Sequence, residues 1–127
     1  MDRVMHFEIP ADKMDRALKF YSKTFGWKMA PVKSMEDQYV IAQTAEVDKK
    51  TGAPITPGAI NGGIGIRDKR MSCPDVVIGV KDIDAKLKKI KAAGGKAVTK
   101  KMPVMDMGFT AYFKDTEGNI VGLWQDK

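Results

Sequence analysis

The residues in this sequence best suited to chemistry are its single histidine, His6, and an aspartate that opens a later apolar segment, Asp75. Imidazole nitrogens and carboxylate oxygens bind divalent metals, and a histidine whose pKa lies near neutral can also act as a general base. Catalytic metal sites generally use about three protein ligands and keep one position open for water or substrate. Glu8, Glu36 and Glu46 are available as a third ligand, but their spacing selects none of them. We therefore expect no catalytic metal, and His6 and Asp75 are the weak candidates for holding one.

His6 and Asp75 occupy equivalent places in a sequence that repeats itself. An ungapped alignment that starts at these two residues continues through four further matches: Ile9 with Ile78, Asp15 with Asp84, Leu18 with Leu87, and Gly26 with Gly95. Self-similarity at a fixed offset indicates a duplicated structural unit. Two similar units that pack together leave a cleft between them, and we expect functional residues there.

Each copy predicts one helix among four strands. The predicted strands are 4–9, 27–32, 37–45 and 58–66 in the first copy, and 75–80, 96–99, 108–114 and 120–124 in the second. Pro10 is predicted to end the first strand, and Asp12 and Asp82 are predicted to cap the two helices. Residues 100–107 are predicted to be a loop. Because a helix follows only the first strand of each copy, the order is βαβββ twice and the class is α+β.

Length and composition bound the organisation of the chain. With 127 residues, it fits a single domain, 1–127, made of module one (1–66), a linker (67–74) and module two (75–127). Apolar residues make up 43% and charged residues 30%, which is typical of a soluble globular protein. We expect no membrane association, because no apolar run approaches the roughly 20 residues of a membrane span. The sequence shows no signal peptide and has one cysteine, Cys73, so we expect a reduced, cytoplasmic setting.

The charge of the chain bears on its partners. The formal net charge is +6. The lysines are distributed along the chain, except for one concentration at 86–91 on a predicted helix. Nucleic-acid binding would require basic residues interleaved with stacking aromatics, or a known motif, and we expect no nucleic-acid partner. The positive charge favours an anionic small molecule over a cationic one.

Five segments of the chain are typical of one known family. They are HFEI at 6–9, ALKFYSKTFGW at 17–27, VKDID at 80–84, AAGG at 92–95 and FKDTEGNIVGLWQ at 113–125. With the paired modules, they resemble the vicinal oxygen chelate superfamily, which includes glyoxalase, bleomycin resistance protein and dioxygenase. The resemblance implies two curved sheets that form an open, barrel-like cavity with the helices outside. It also implies a homodimer.

The resemblance implies which positions would hold a metal. Enzymes of this family usually bind one divalent ion through a histidine or glutamate from the first and the last strand of each module. In module one, the first strand carries His6 and the last strand carries Asn61, Gly62 or Gly63 at this position. In module two, the first strand carries Asp75 and the last strand carries Gly122. At least two of the four positions therefore lack a coordinating side chain, and glycine there would enlarge the cavity instead. The predicted ligand-cavity residues are His6, Glu8, Gly62, Asp75, Gly122 and Trp124.

Two functions remain open at this point. The first is a protein that binds a small anionic or apolar molecule in the cavity between the modules, without a catalytic metal. The second is a metal-dependent lyase, isomerase or dioxygenase, similar to lactoylglutathione lyase, that uses His6. Whether the chain is an enzyme is not decided by the sequence.

Overall fold

The α+β class predicted from the sequence is confirmed by a computed structural model, which describes residues 1–35 and 38–127. The strands are β1 (Arg3–Ala11), β2 (Lys28–Pro31), β3 (Tyr39–Gln43), β4 (Gly62–Ile66), β5 (Asp75–Gly79), β6 (Lys96–Ala97), β7 (Met102–Val104), β8 (Gly108–Lys114) and β9 (Ile120–Asp126). The helices of the described residues are α1 (Met14–Phe25) and α2 (Ile83–Ala92). Neither of them is long and apolar enough to cross a membrane.

The chain divides into two compact units. The first unit is His6–Pro74, and the second unit combines Met1–Met5 with Asp75–Lys127. Except for the first residues of the chain, this division follows the predicted duplication. That the chain forms one domain with the predicted module boundaries stays a prediction.

In the first unit, α1 covers one face of a sheet with the strand order β2-β3-β4-β1. β1 runs parallel to β4, and the other two pairs are antiparallel. Ala11, Ala42 and Ile64 form the buried cluster under the helix, and Leu18 and Tyr21 of α1 pack against it. The ring of Tyr21 stacks on Trp27 with centroids 4.9 Å apart. Leu18 and Tyr21 lie about one helical turn apart, so the face of α1 that they share is the one that packs on the sheet.

In the second unit, α2 covers a sheet with the strand order β5-β9-β8-β6, and β7 pairs with β8. β5 runs parallel to β9, so the first and last strands of this unit are neighbours, as they are in the first unit. Its core contains Ile83 and Leu123, which are 0% and 1% exposed. The Asp82 carboxylate accepts a hydrogen bond from the Ala85 N–H at 3.0 Å, which confirms the predicted cap.

Three local predictions are wrong. β1 continues through Pro10, because the next residue, Ala11, still accepts a hydrogen bond from the Arg67 N–H at 3.0 Å. Lys13 rather than Asp12 occupies the N-cap position of α1, and the Asp12 carboxylate instead accepts a hydrogen bond from Arg67 Nε at 2.8 Å. The predicted loop 100–107 contains β7, which forms an antiparallel pair with the start of β8.

Candidate functional site

β1 turns two titratable side chains away from α1. Successive side chains of a strand point to opposite faces of the sheet. Ile9 packs into the cluster under α1, so His6 and Glu8 lie on the other face. Glu8 is only 3% exposed, and His6 is partly buried. We call this surface of the first unit the His6 face.

Tyr39 and Gly63 complete the His6 face. Gly63 of β4 pairs with Glu8 of β1, and Tyr39 of β3 pairs with Gly65, so these residues share one face. A Cβ at Gly63 would overlap the phenol of Tyr39. The phenol oxygen of Tyr39 also lies 2.8 Å from His6 Nε2, within hydrogen-bond distance. One aromatic side chain therefore fills the space beside the glycine and contacts the imidazole.

Gly62 lies on the opposite face from His6. It pairs with Phe7, and a Cβ there would overlap the Phe7 ring, which in turn lies 5.5 Å from the Trp27 ring. Of the two adjacent glycines considered for the last strand of module one, Gly63 rather than Gly62 faces the imidazole.

Burial sets the protonation state of His6. Removal from water disfavours the charged imidazolium and lowers the pKa of His6 from 6.5 to about 4. Its ring is therefore neutral at physiological pH, with one nitrogen as donor and the other as acceptor. If Nδ1 carries the proton, the Tyr39 O–H donates to Nε2. In the other tautomer, Nε2–H donates to the phenol oxygen. A pKa this low also makes His6 a weak general base, which disfavours that predicted role.

The second unit has an equivalent surface, which we call the Asp75 face. Gly122 pairs with Val77, and Trp124 pairs with Gly79, so the three predicted residues Asp75, Gly122 and Trp124 share the sheet face opposite α2. A Cβ at Gly122 would lie 2.9 Å from Val77 Cγ2. Five of the six predicted cavity residues are thus grouped as His6 with Glu8 in the first unit, and as Asp75 with Gly122 and Trp124 in the second. The sixth, Gly62, lies on the opposite face from His6.

The glutamates considered as a third metal ligand lie in different settings. Glu8 is buried beside His6 on β1, whereas the exposed Glu46 lies 3.4 Å from Lys28 Nζ in an ion pair. Glu36 lies outside the described residues. Tyr39, which the sequence analysis missed, falls within the predicted strand 37–45, but only the pairing of β3 with β4 shows which face it occupies.

The residues of the His6 face do not fit the divalent metal that the resemblance implies. The strand position opposite Glu8 is Gly63, which has no donor, and the Tyr39 phenol occupies the space where a ligand side chain would begin. The same phenol engages an imidazole nitrogen of His6. Within residues 1–35 and 38–127, no three His, Cys, Asp or Glu side chains are grouped so that they could hold a metal ion.

Comparisons with known proteins extend over nearly the whole chain. Residues 3–123 match the family model described as "Glyoxalase/Bleomycin resistance protein/Dioxygenase superfamily". A Vibrio parahaemolyticus protein named "Probable lactoylglutathione lyase" is 31% identical, over 98% of this chain and 91% of the relative. A "Glyoxylase-like domain-containing protein" of Didymella fabae is 32% identical, over 92% of this chain and 88% of the relative.

Among solved structures, Streptomyces coelicolor methylmalonyl-CoA epimerase in complex with 2-nitronate-propionyl-CoA is similar, with a TM-score of 0.63. The match covers 98% of this chain and 96% of that structure. At 16% identity, this similarity concerns the fold alone.

Proposed function

The chain belongs to the Glyoxalase/Bleomycin resistance protein/Dioxygenase superfamily, and from this premise we propose that it binds a small organic molecule on the His6 face without a catalytic metal. The family resemblance noted in the sequence is confirmed by this match. Members of the superfamily bind small molecules, as the CoA ester in the epimerase complex illustrates.

The observation that carries the proposal is the placement of Tyr39 against Gly63 and His6. In the first unit, a glycine lies where the superfamily usually has a coordinating side chain, and a phenol fills that space. A hydrogen bond between the phenol and the imidazole holds both groups in place. Such a pair suits hydrogen bonding to an organic ligand better than metal coordination.

The groups on the His6 face indicate how a ligand would be held. In either tautomer, the hydrogen bond between Tyr39 and His6 leaves the pair one donor and one acceptor for a ligand, and Glu8 adds carboxyl oxygens on the same strand. Ligand sites of small molecules usually combine an apolar wall with a few polar groups, and Ile41 lies on the same face, opposite Gly63. The net charge of +6 favours a ligand with negative charge elsewhere in the molecule.

Several finer parts of the function are also proposals. We keep Asp75, Gly122 and Trp124 as ligand contacts of the second unit, because they share the Asp75 face. The homodimer is supported by the family resemblance alone, and the cytoplasmic location by the single cysteine of the chain.

Binding can be tested with two anionic probes, S-lactoylglutathione and methylmalonyl-CoA, added to isotope-labelled protein in the presence of EDTA. We expect at least one probe to shift the backbone amide signals of His6, Glu8 and Gly63, because these lie along the contact surface. Tyr39→Phe should weaken that binding about tenfold, the usual effect of losing one hydrogen bond to a ligand. Binding that appears only when a divalent metal replaces EDTA would contradict the proposal.

The alternative is a metal-dependent lactoylglutathione lyase, and the name of the 31% identical Vibrio relative favours it. Titration calorimetry with Ni²⁺, Zn²⁺, Mn²⁺ and Fe²⁺ separates the two functions. We expect no site tighter than about millimolar, since the facing glycine supplies no ligand. Stoichiometric metal binding that is lost in His6→Ala would overturn the proposal of a metal-free site. Turnover of the glutathione hemithioacetal above the uncatalysed rate would do the same.

A further inference from the structure

A cleft of about 480 Å³ lies on the helix side of the second unit, away from the Asp75 face. Its walls include Asp84 and Leu87 of α2, Thr99 and Lys101 of the segment between β6 and β7, and Phe109 of β8. Leu87 and Phe109 also pack against the core under α2, which places the cleft on that side of the sheet. The volume falls within the range of about 300–1,000 Å³ found for small-molecule sites.

The cleft combines an apolar floor with a lysine ammonium. Lys101 Nζ lies 4.4 Å from the centroid of the Phe109 ring, a cation–π arrangement, and the side chain of Lys101 is only 24% exposed. The Asp84 carboxylate lies 3.8 Å from the same nitrogen, is 67% exposed, and makes a long, weak ion pair. The positive charge is therefore fixed over an aromatic surface and is only loosely neutralised.

The segment between β6 and β7, which lines the cleft, is anchored on β8. β6 has two residues, but the chain stays on β8 through Thr99. The N–H groups of Val98 and Thr99 donate to the Tyr112 carbonyl at 2.8 and 3.1 Å, and the Thr99 hydroxyl accepts a hydrogen bond from the Tyr112 N–H at 2.9 Å. After this anchor, Lys100 and Lys101 lead into β7. Both lysines line the cleft.

We propose that the cleft walled by Leu87, Lys101 and Phe109 binds small organic anions with an aromatic or short aliphatic body. The body would lie on the side chains of Leu87 and Phe109, and the anionic group would bind the Lys101 ammonium in place of Asp84. A cation of the same shape would meet the ammonium of Lys101 and be rejected. This site is separate from the proposed ligand contacts on the His6 face and does not depend on them.

Fluorescence titration with 1-anilinonaphthalene-8-sulfonate, an aromatic sulfonate, tests the site. We expect Lys101→Met, which keeps the apolar stem, to weaken binding about tenfold, because a charge-assisted contact is lost. Asp84→Asn should strengthen binding about twofold, because it removes the competing carboxylate. Lys28→Met, at an exposed ion pair of the first unit, is the matched control and should leave the affinity unchanged.

Two measurements on the unaltered protein keep the proposal testable even if a variant does not fold. Benzoate should displace the sulfonate, whereas benzylamine, which has the same size and the opposite charge, should not. The backbone amide signals of Leu87, Thr99 and Phe109 should shift during the titration. Equal competition by benzylamine, shifts confined to the His6 face, or unchanged affinity in Lys101→Met would each overturn the proposal.

Discussion

Replacement of Ile64 by alanine should lower the free energy of unfolding by about 3 kcal/mol, whereas the same replacement at Ile66 should cost less than about 1 kcal/mol. Both residues belong to β4 and, two positions apart, point to the same face. Ile64 is 0% exposed and packs in the cluster with Ala11 and Ala42, whereas Ile66 is 37% exposed. The two variants remove identical atoms, so the difference between their free energies of unfolding measures the effect of burial under α1.

Urea denaturation followed by circular dichroism provides both free energies under identical conditions. A larger loss for Ile64→Ala would support a core that lies between α1 and the sheet of the first unit. Equal losses for the two variants would contradict this assignment of the core.

Acidification from about pH 7 to about pH 4 should destabilise the wild-type protein by up to about 3 kcal/mol more than His6→Gln. The pKa of His6 is 6.5 in the unfolded chain and about 4 in the folded protein, because burial disfavours the imidazolium. Between these values the unfolded state binds more protons than the folded state. The stability that His6 contributes is therefore present above about pH 6.5 and is lost as the pH falls toward 4. Glutamine has no charge to gain and removes this dependence.

Two comparisons make this result specific to the imidazole. Other groups, such as Asp48 and Asp115, whose pKa values are lowered by hydrogen bonds, titrate in both proteins and cancel in the difference. Tyr39→Phe should keep the pH dependence, since burial rather than the phenol lowers the pKa of His6. Parallel pH profiles for wild type and His6→Gln would show that the imidazole is not buried in its neutral form.

The fold could be predicted from the sequence because local signals repeat in the two copies. Gly26 takes a positive φ of 73° at the end of α1, and Asp82 caps α2, as their residue types indicate. β8 has the predicted bounds. Gly122 and Trp124, two positions apart in β9, lie on the same face of the sheet, as the alternation of a strand predicts. Each of these features depends on neighbours in the chain, and the repeat indicates the same order of elements in both copies.

The candidate site could be predicted only in part, because its register is set by pairing between distant segments. Gly62 and Gly63 have no side chains, so no alternation of apolar and polar residues shows which of them faces His6. Tyr39 reaches the imidazole through the pairing of β3 with β4 and of β4 with β1, across residues far apart in sequence. β7 was missed for a different reason. Its pairing with β8 is local, with Val104 opposite Gly108, but Pro103 lies at its centre, and proline there argues against a strand.

Metal-free binding on the His6 face requires that the imidazole of His6 is a neutral hydrogen-bonding group and not a metal ligand. Long-range ¹H–¹⁵N spectra of the ring test this directly, because the chain has one histidine and its signals need no further assignment. Near neutral pH we expect the pattern of a neutral tautomer, and no change in either nitrogen when one equivalent of Zn²⁺ is added. A shift of a ring nitrogen that saturates at one equivalent of Zn²⁺ would contradict the claim.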